Sequence, residues 1–307
     1  MNDGSRMSWE VRRPAFVDVA GDDQNVEQLG TGFGFTEGPV WDARVGRLVF
    51  SDMKHDHMRS WTAPGGIETF RKPCQKANGN ALDREGRLLS CEHSTSRVVR
   101  QERDGTLTIL ASHYDGRELN SPNDIIVASD GGIYFTDPTY GRIREELGVL
   151  RDPVLAFRGV YRIPPDRKDL QLLVDDFEQP NGLCFSIDET KLYVNDTVRG
   201  HIRVFDVSGD GTVKNGRIWA TLVGEGVGVA DGMKTDGQGH IYCTGPGGIH
   251  VFRPDAECLG VIRLSERPAN FAWGGGDFRT LFVTATTSLY RLRTRVPGHR
   301  IGVNAIP

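Results

Sequence analysis

The sequence predicts an all-β fold, a six-bladed β-propeller of four-stranded blades, from three observations. A short apolar strand motif recurs six times along the chain, at the 40-to-50-residue period typical of propeller blades apart from one longer interval. Alternating stretches ending in turn dipeptides such as Asp104-Gly105 and Asp210-Gly211 follow the motif copies. Helical periodicity is nearly absent between them.

The six copies begin at Leu48-Val-Phe-Ser-Asp52, Leu88-Leu-Ser-Cys-Glu92, Ile133-Tyr-Phe-Thr-Asp137, Leu192-Tyr-Val-Asn-Asp196, Ile241-Tyr-Cys-Thr-Gly245 and Leu281-Phe-Val-Thr-Ala285. Their first residues lie 40, 45, 59, 49 and 40 positions apart, so the third interval carries an insertion, placed at 142–157. Each copy reads as the second strand of a blade. A third strand follows, as in Gly159-Val-Tyr-Arg-Ile163 or His201-Ile-Arg-Val-Phe205, and then a fourth, as in Leu107-Thr-Ile-Leu110. After the sixth copy the chain offers Ser288–Arg293 and then a tail containing Pro and Gly, with no fourth strand. Val26-Glu-Gln-Leu29 is expected to supply it, closing the ring and covering a sheet edge. A β-sandwich or two smaller barrels would leave the six-fold period unexplained. The chain is therefore expected to be a single domain over 1–307, with 1–24 an N-terminal extension and 295–307 a C-terminal tail.

Composition narrows the partners. With 37 basic and 41 acidic residues the formal charge is −4, and no basic block offers a footprint for nucleic acid. No run of about 18 apolar residues reads as a membrane span, and the polar first residues lack a signal-peptide core, so a soluble cytoplasmic protein is expected. The five cysteines are scattered, without a Cys-x-x-Cys pair, and are expected to be reduced thiols.

A second periodicity carries the chemistry. Ten or eleven residues before each motif copy stands one oxygen-bearing side chain: Glu37, Asn78, Asn123, Asn181, Asp231 and Asn270. Asp, Glu and Asn together are 52 of 307 residues, too few for six coincidences to be the simple expectation. These positions fall where the innermost strand of each blade begins, around one mouth of the central channel. Asn-Gly, Asp-Gly and Pro-Asn are also ordinary turn sequences. Converging carboxylates and amides, however, would repel or lie unsatisfied without a cation. Oxygen donors without cysteine describe a hard divalent ion, calcium first. The fifth motif positions, Asp52, Glu92, Asp137 and Asp196, are expected near the same mouth, with Asp137 equally readable as a strand-end turn residue. His93 is placed within reach of a bound substrate or, equally, as a structural imidazole.

Several segments resemble the senescence marker protein and gluconolactonase family. They are Thr36-Glu-Gly-Pro-Val-Trp41, Cys91-Glu-His93, Leu119-Asn-Ser-Pro-Asn-Asp124, Tyr134-Phe-Thr-Asp-Pro-Thr-Tyr-Gly141, Gln179-Pro-Asn-Gly-Leu183, Asp231-Gly-Met-Lys234, Thr244–Ile249 and Thr284–Tyr290. The resemblance implies a six-bladed propeller holding one metal ion through Glu37, Asn181 and Asp231, with Asn123 a fourth ligand or a substrate contact. It leaves calcium, zinc and ferrous iron open, and implies hydrolysis of a sugar lactone to the aldonic acid. A metal-polarised carbonyl needs no protein nucleophile, only a carboxylate to take a proton from water, and Asp231 is nominated, with Glu37 the alternative. Asn123, Asn120, Asn78 and His93 are the candidates for holding sugar hydroxyls. A phosphotriester or aryl-ester hydrolase using the same site, and a non-catalytic calcium-binding propeller, stand as the competing functions, and the oligomeric state is left open.

Overall fold

The structure, a computed structural model, describes residues 9–166 and 169–300. Six small antiparallel sheets are arranged in a ring. Blade 1 comprises Thr36–Asp42, Arg47–Asp52, His57–Thr62 and Gly66–Arg71, and blade 2 comprises Ala77–Leu82, Leu88–Glu92, Arg97–Gln101 and Leu107–Ala111. Blade 3 is Ile125–Val127, Ile133–Asp137, Arg158–Ile163 and Gln171–Phe177; blade 4 is Pro180–Phe185, Lys191–Asp196, His201–Val207 and Val213–Thr221. Blade 5 is Met233–Thr235, Ile241–Gly245, Gly248–Phe252 and Cys258–Ile262. Blade 6 takes Pro268–Gly274, Thr280–Ala285 and Ser288–Arg293 and is completed by Glu27–Thr31. That N-terminal strand pairs with the third strand of blade 6, Gln28 opposite Tyr290, as the repeat required.

Every motif copy is the second strand of its blade. These strands are buried at nearly all positions because both faces are covered by neighbouring blades, so each motif copy opens on apolar residues. Outer strands such as Val213–Thr221 are exposed over most of their length and carry the charge. Between blades 1 and 6 the Trp41 and Phe282 rings stack at 5.4 Å, which ties the first repeat to the last.

The N-terminal extension is partly built into the ring. Glu10–Val11 adds a fifth strand to blade 5, and the short helix Ala15–Ala20 buries Phe16 and Val19. The amides of Arg295 and Val296 both donate to the carbonyl of Val19, docking the start of the C-terminal tail there. Residues 1–8 of the extension and 301–307 of the tail lie outside the described residues. Among the described residues no helix is long and apolar enough to cross a membrane.

The insertion in the third interval forms a short helix, Tyr140–Ile143, and an irregular segment reaching Arg158. Its anchor is Arg142, whose buried guanidinium donates to the carbonyls of Leu119, Asn120 and Asp152 and pairs with Glu118 at 2.6 Å.

Candidate active site

Five of the six ring residues meet in one cavity of about 120 Å³ where the inner strands begin. Glu37, Asn78, Asn123, Asn181 and Asp231 come from blades 1 to 5, and each is at least nine-tenths buried. The ring closes this tightly because four of these positions are followed or flanked by glycine. A Cβ on Gly38, at φ +50°, would lie 1.9 Å from the carbonyl oxygen of Asn78, and one on Gly182 would lie 2.1 Å from that of Asp231. Gly79 and Gly232 meet the next blade in the same way. The glycines therefore serve blade-to-blade approach, and only Gly38 among these four also uses the left-handed backbone region that favours glycine.

The fourth motif position locks the same carbonyls from behind. Ser51 Oγ donates to Asn78 O at 2.9 Å, Thr136 Oγ1 to Asn181 O at 2.8 Å and Asn195 Nδ2 to Asp231 O at 2.6 Å, each across a blade boundary. These side chains went unassigned in the sequence, although a polar residue recurring inside an apolar strand was the available signal.

Side-chain partners fix which oxygens face the cavity. Glu37 Oε2 accepts from the Gly38 amide at 3.0 Å, and the Asn270 side chain donates to the same carboxylate. Asn181 Nδ2 donates to Thr197 Oγ1 at 3.1 Å, and the same side chain donates to Asp231. His93 Nδ1 lies 3.2 Å from the Leu147 carbonyl, and a carbonyl only accepts, so Nδ1 carries the proton. His93 Nε2 then accepts from Asn78 Nδ2 at 3.3 Å. Both ring nitrogens are spent, and burial pushes the imidazole pKa down to about 4.

Burial raises the pKa of both Glu37 and Asp231, and each is raised further by carboxylates nearby: Asp231 and Asp124 for Glu37, Asp124 for Asp231. Arg267 and Lys234 oppose the shift at Asp231. Two buried carboxylates with three amide side chains, and an imidazole whose lone pair is taken, form an all-oxygen donor set. That set fits a hard divalent cation.

Three expectations are corrected. Asn120 is fully buried outside the cavity lining, its Nδ2 donating to the carbonyls of Asp137 at 3.2 Å and Phe157 at 3.0 Å. Asn270 lies outside the lining too: its Oδ1 accepts from the Phe271 amide and from Lys234 Nζ, which also pairs with Asp124 at 3.4 Å. The acids at the fifth motif position do not line the cavity. Asp52 accepts the Gly34 amide at 2.8 Å, Asp137 that of Asn120 at 2.8 Å and Asp196 that of Glu178 at 2.7 Å. Each donor stands three residues before a ring residue, so these acids clamp the loop that delivers it. Glu92 instead accepts from Thr95 Oγ1. The cause is the pleat: Asp52 pairs with Thr36 while Glu37 pairs with Ser51, and neighbours along a strand face opposite sides.

The rest of the wall was not nominated from sequence. Arg144 and Leu147 come from the insertion, Tyr140 starts the short helix leading into it, Thr197 follows the motif of blade 4, and Phe35, Val229 and Arg267 come from loops. A larger cavity of about 360 Å³ lies between blades 1 and 2, but Arg44 and Arg87 there are paired with Asp42, Glu85 and Glu102. It holds no converging unpaired acids.

Fold and site together define a class, a six-bladed propeller carrying a buried carboxylate and amide ring at one channel mouth. The sequence matches the SMP-30/Gluconolactonase/LRE-like region over residues 35–287, and the chain belongs to that family. It is 30% identical to a gluconolactonase of Zymomonas mobilis, over 96% of this chain and 87% of the relative. A solved gluconolactonase of Xanthomonas campestris superposes with a TM-score of 0.87 at 34% identity, covering 93% of this chain and 94% of that one. The calcium-binding protein regucalcin of Agrobacterium tumefaciens shares the fold, with a TM-score of 0.72 at 18% identity over 89% of this chain and 97% of that one.

Proposed function

We propose that this chain is a hydrolase that opens the ring ester of a gluconolactone-like sugar lactone to the aldonic acid, with one divalent cation held by Glu37, Asn123, Asn181 and Asp231. Family membership and the gluconolactonases of Zymomonas and Xanthomonas support the reaction class. The likeness to a calcium-binding regucalcin supports a cation, and the donor set makes calcium the first choice over zinc or ferrous iron. The observation that carries the reading is the meeting of Glu37 and Asp231, both buried, with the amides of three further blades in one cavity.

A bound cation would supply Lewis-acid polarisation of the lactone carbonyl. The chain's own groups do the rest. Glu37 is fixed by two donors, the Gly38 amide and the Asn270 side chain, and serves as a rigid oxygen donor. Asp231 accepts from the Asn181 side chain and sits near the Arg267 charge, whereas Glu37 is held by a backbone amide, so Asp231 is the carboxylate freer to take a proton. Asp231 is therefore assigned the proton of the attacking water. Asn78, held by neutral His93, presents its carbonyl oxygen to a sugar hydroxyl, and Asn123 offers a second polar contact. Leu147 and Val229 cover the apolar part of the wall and limit bulk water.

The test is acid release from a panel of aldonolactones in a pH-stat, with chelator and after calcium is restored. Turnover lost on chelation and regained on calcium is the expected result. Full turnover in chelator, or in Asp231→Ala with the cation still bound, removes the cation or the base respectively.

A further inference from the structure

Two guanidinium groups stand in the cavity wall: Arg267, whose charge is felt at Asp231, and Arg144, which has no part in the chemistry above. Arg144, exposed, lies over the Tyr140 ring at 5.2 Å, and Arg267, half-buried, lies over the Phe35 ring at 5.7 Å. All four residues line the cavity. A cation over a ring face is attracted to its π electrons, and such a contact does not use up the guanidinium N–H donors. Among the described residues neither side chain makes an ion pair or a side-chain hydrogen bond. Arg142, two residues from Arg144, shows the contrast, since its fork is filled by three carbonyls and Glu118. The neighbouring acid Glu266 is likewise taken, by Ser288, Thr287 and Tyr290.

Depth separates the charges. Glu37 and Asp231 are buried at the floor, whereas the two arginines stand nearer solvent. A divalent cation would neutralise the floor and leave two positive charges at the rim. A neutral sugar lactone gives them nothing to neutralise.

Resting on the lactonase reading, we propose that the preferred substrate is a sugar lactone bearing an anionic group, such as phosphate, at the end remote from the ring carbonyl, held by Arg144 and Arg267. The planar forks suit the oxygens of a phosphate, sulfonate or carboxylate, and a charge-assisted contact of this kind changes kcat/KM by about tenfold to a hundredfold.

The experiment compares kcat/KM for 6-phosphoglucono-1,5-lactone and glucono-1,5-lactone on the full chain with calcium. A lactone of an aldaric acid serves as the carboxylate arm and separates a phosphate preference from a general anion preference. The expected ratio of phosphorylated to neutral lactone is about tenfold or more in the wild type. It should fall to near unity in Arg144→Met/Arg267→Met, fall only partly in Arg267→Lys, and shrink with added salt. A wild-type ratio at or below one, or a ratio unchanged in the double variant, overturns the proposal and leaves the arginines to ring hydroxyls. Calorimetric binding of 6-phosphogluconate against gluconate decides the same question without turnover. If neither lactone is hydrolysed, the lactonase reading fails, while tighter binding of the phosphorylated acid that is lost in the double variant still supports the anion site, and equal binding overturns it.

Discussion

Two rings of acidic side chains encircle the channel mouth, and they use the same chemistry in opposite ways. In the outer ring Asp52, Asp137 and Asp196 are fully buried and each accepts at least one backbone amide. In the inner ring Glu37 and Asp231 are also buried and have amide donors of their own, yet they line a cavity and Asp231 repels the Glu37 charge. An acid with both oxygens answered by backbone amides, as in Asp196, stabilises the fold; two acids buried close together cost stability until a ligand answers them. The outer acids hold the loops that deliver the inner residues, so the second ring is what makes the first possible.

The largest expected effect breaks the inner ring. Asp231→Asn should lower kcat/KM by about 10²- to 10³-fold. In chelator at pH 8 the same variant should melt no lower than the wild type, because the raised pKa of Asp231 means that its ionised form opposes folding as pH rises. Thermal melts beside lactone kinetics check both halves. Asp196→Ala is the converse. It removes the acceptor of the Glu178, Gln179, Val198 and Arg199 amides and should cost about 2–5 kcal/mol in urea unfolding. Because this clamp delivers Asn181, kcat/KM per folded molecule should fall as well, but by less than in Asp231→Asn.

A pH experiment sharpens the comparison. His93 has a folded pKa near 4 against 6.5 unfolded, so the stability it contributes is complete above about pH 6.5 and falls as pH drops toward 4, by roughly 3 kcal/mol. Asp137 runs the other way, its folded pKa raised to about 7 by burial, so the fold gains from acidification over the same window. Urea unfolding at pH 7.5 and 4.5 should therefore show His93→Gln losing less stability on acidification than the wild type. An equal loss in both proteins would place the titrating group elsewhere. The smallest effect tests the blade-to-blade locks: Thr136→Val deletes the bond to Asn181 O and should cost about 1 kcal/mol, with a modest rise in KM.

Much of this was legible in the sequence. Buried second strands must be apolar on both faces, and that necessity recurs every blade, so motif spacing located all six sheets and the strand that closes them. The inner ring followed from the same period, because one position per blade opens toward the axis. Periodicity failed where facing depends on the pleat. Asp52 is only one strand residue from Ser51, the partner of Glu37, and that single step turns it to the other side. Asn270 keeps the register but is drawn down by Lys234. Arg144 and Leu147 sit on an insertion whose path is set by the tertiary bonds of Arg142, which no local pattern encodes.

The closing strand has a consequence for how the molecule is made. Gln28 bonds to Ser288 across a separation of 260 residues, so a strand made early waits for a partner made much later. Until then blade 6 does not exist and the ring stays open, its cavity oxygens unassembled. Removing the segment from Ser288 onward would delete one blade's third strand and strip the partner from its fourth, leaving the N-terminal strand with a bare edge. Nascent chains arrested before that point should be open to proteases, and protection should arrive in one step when the two ends meet.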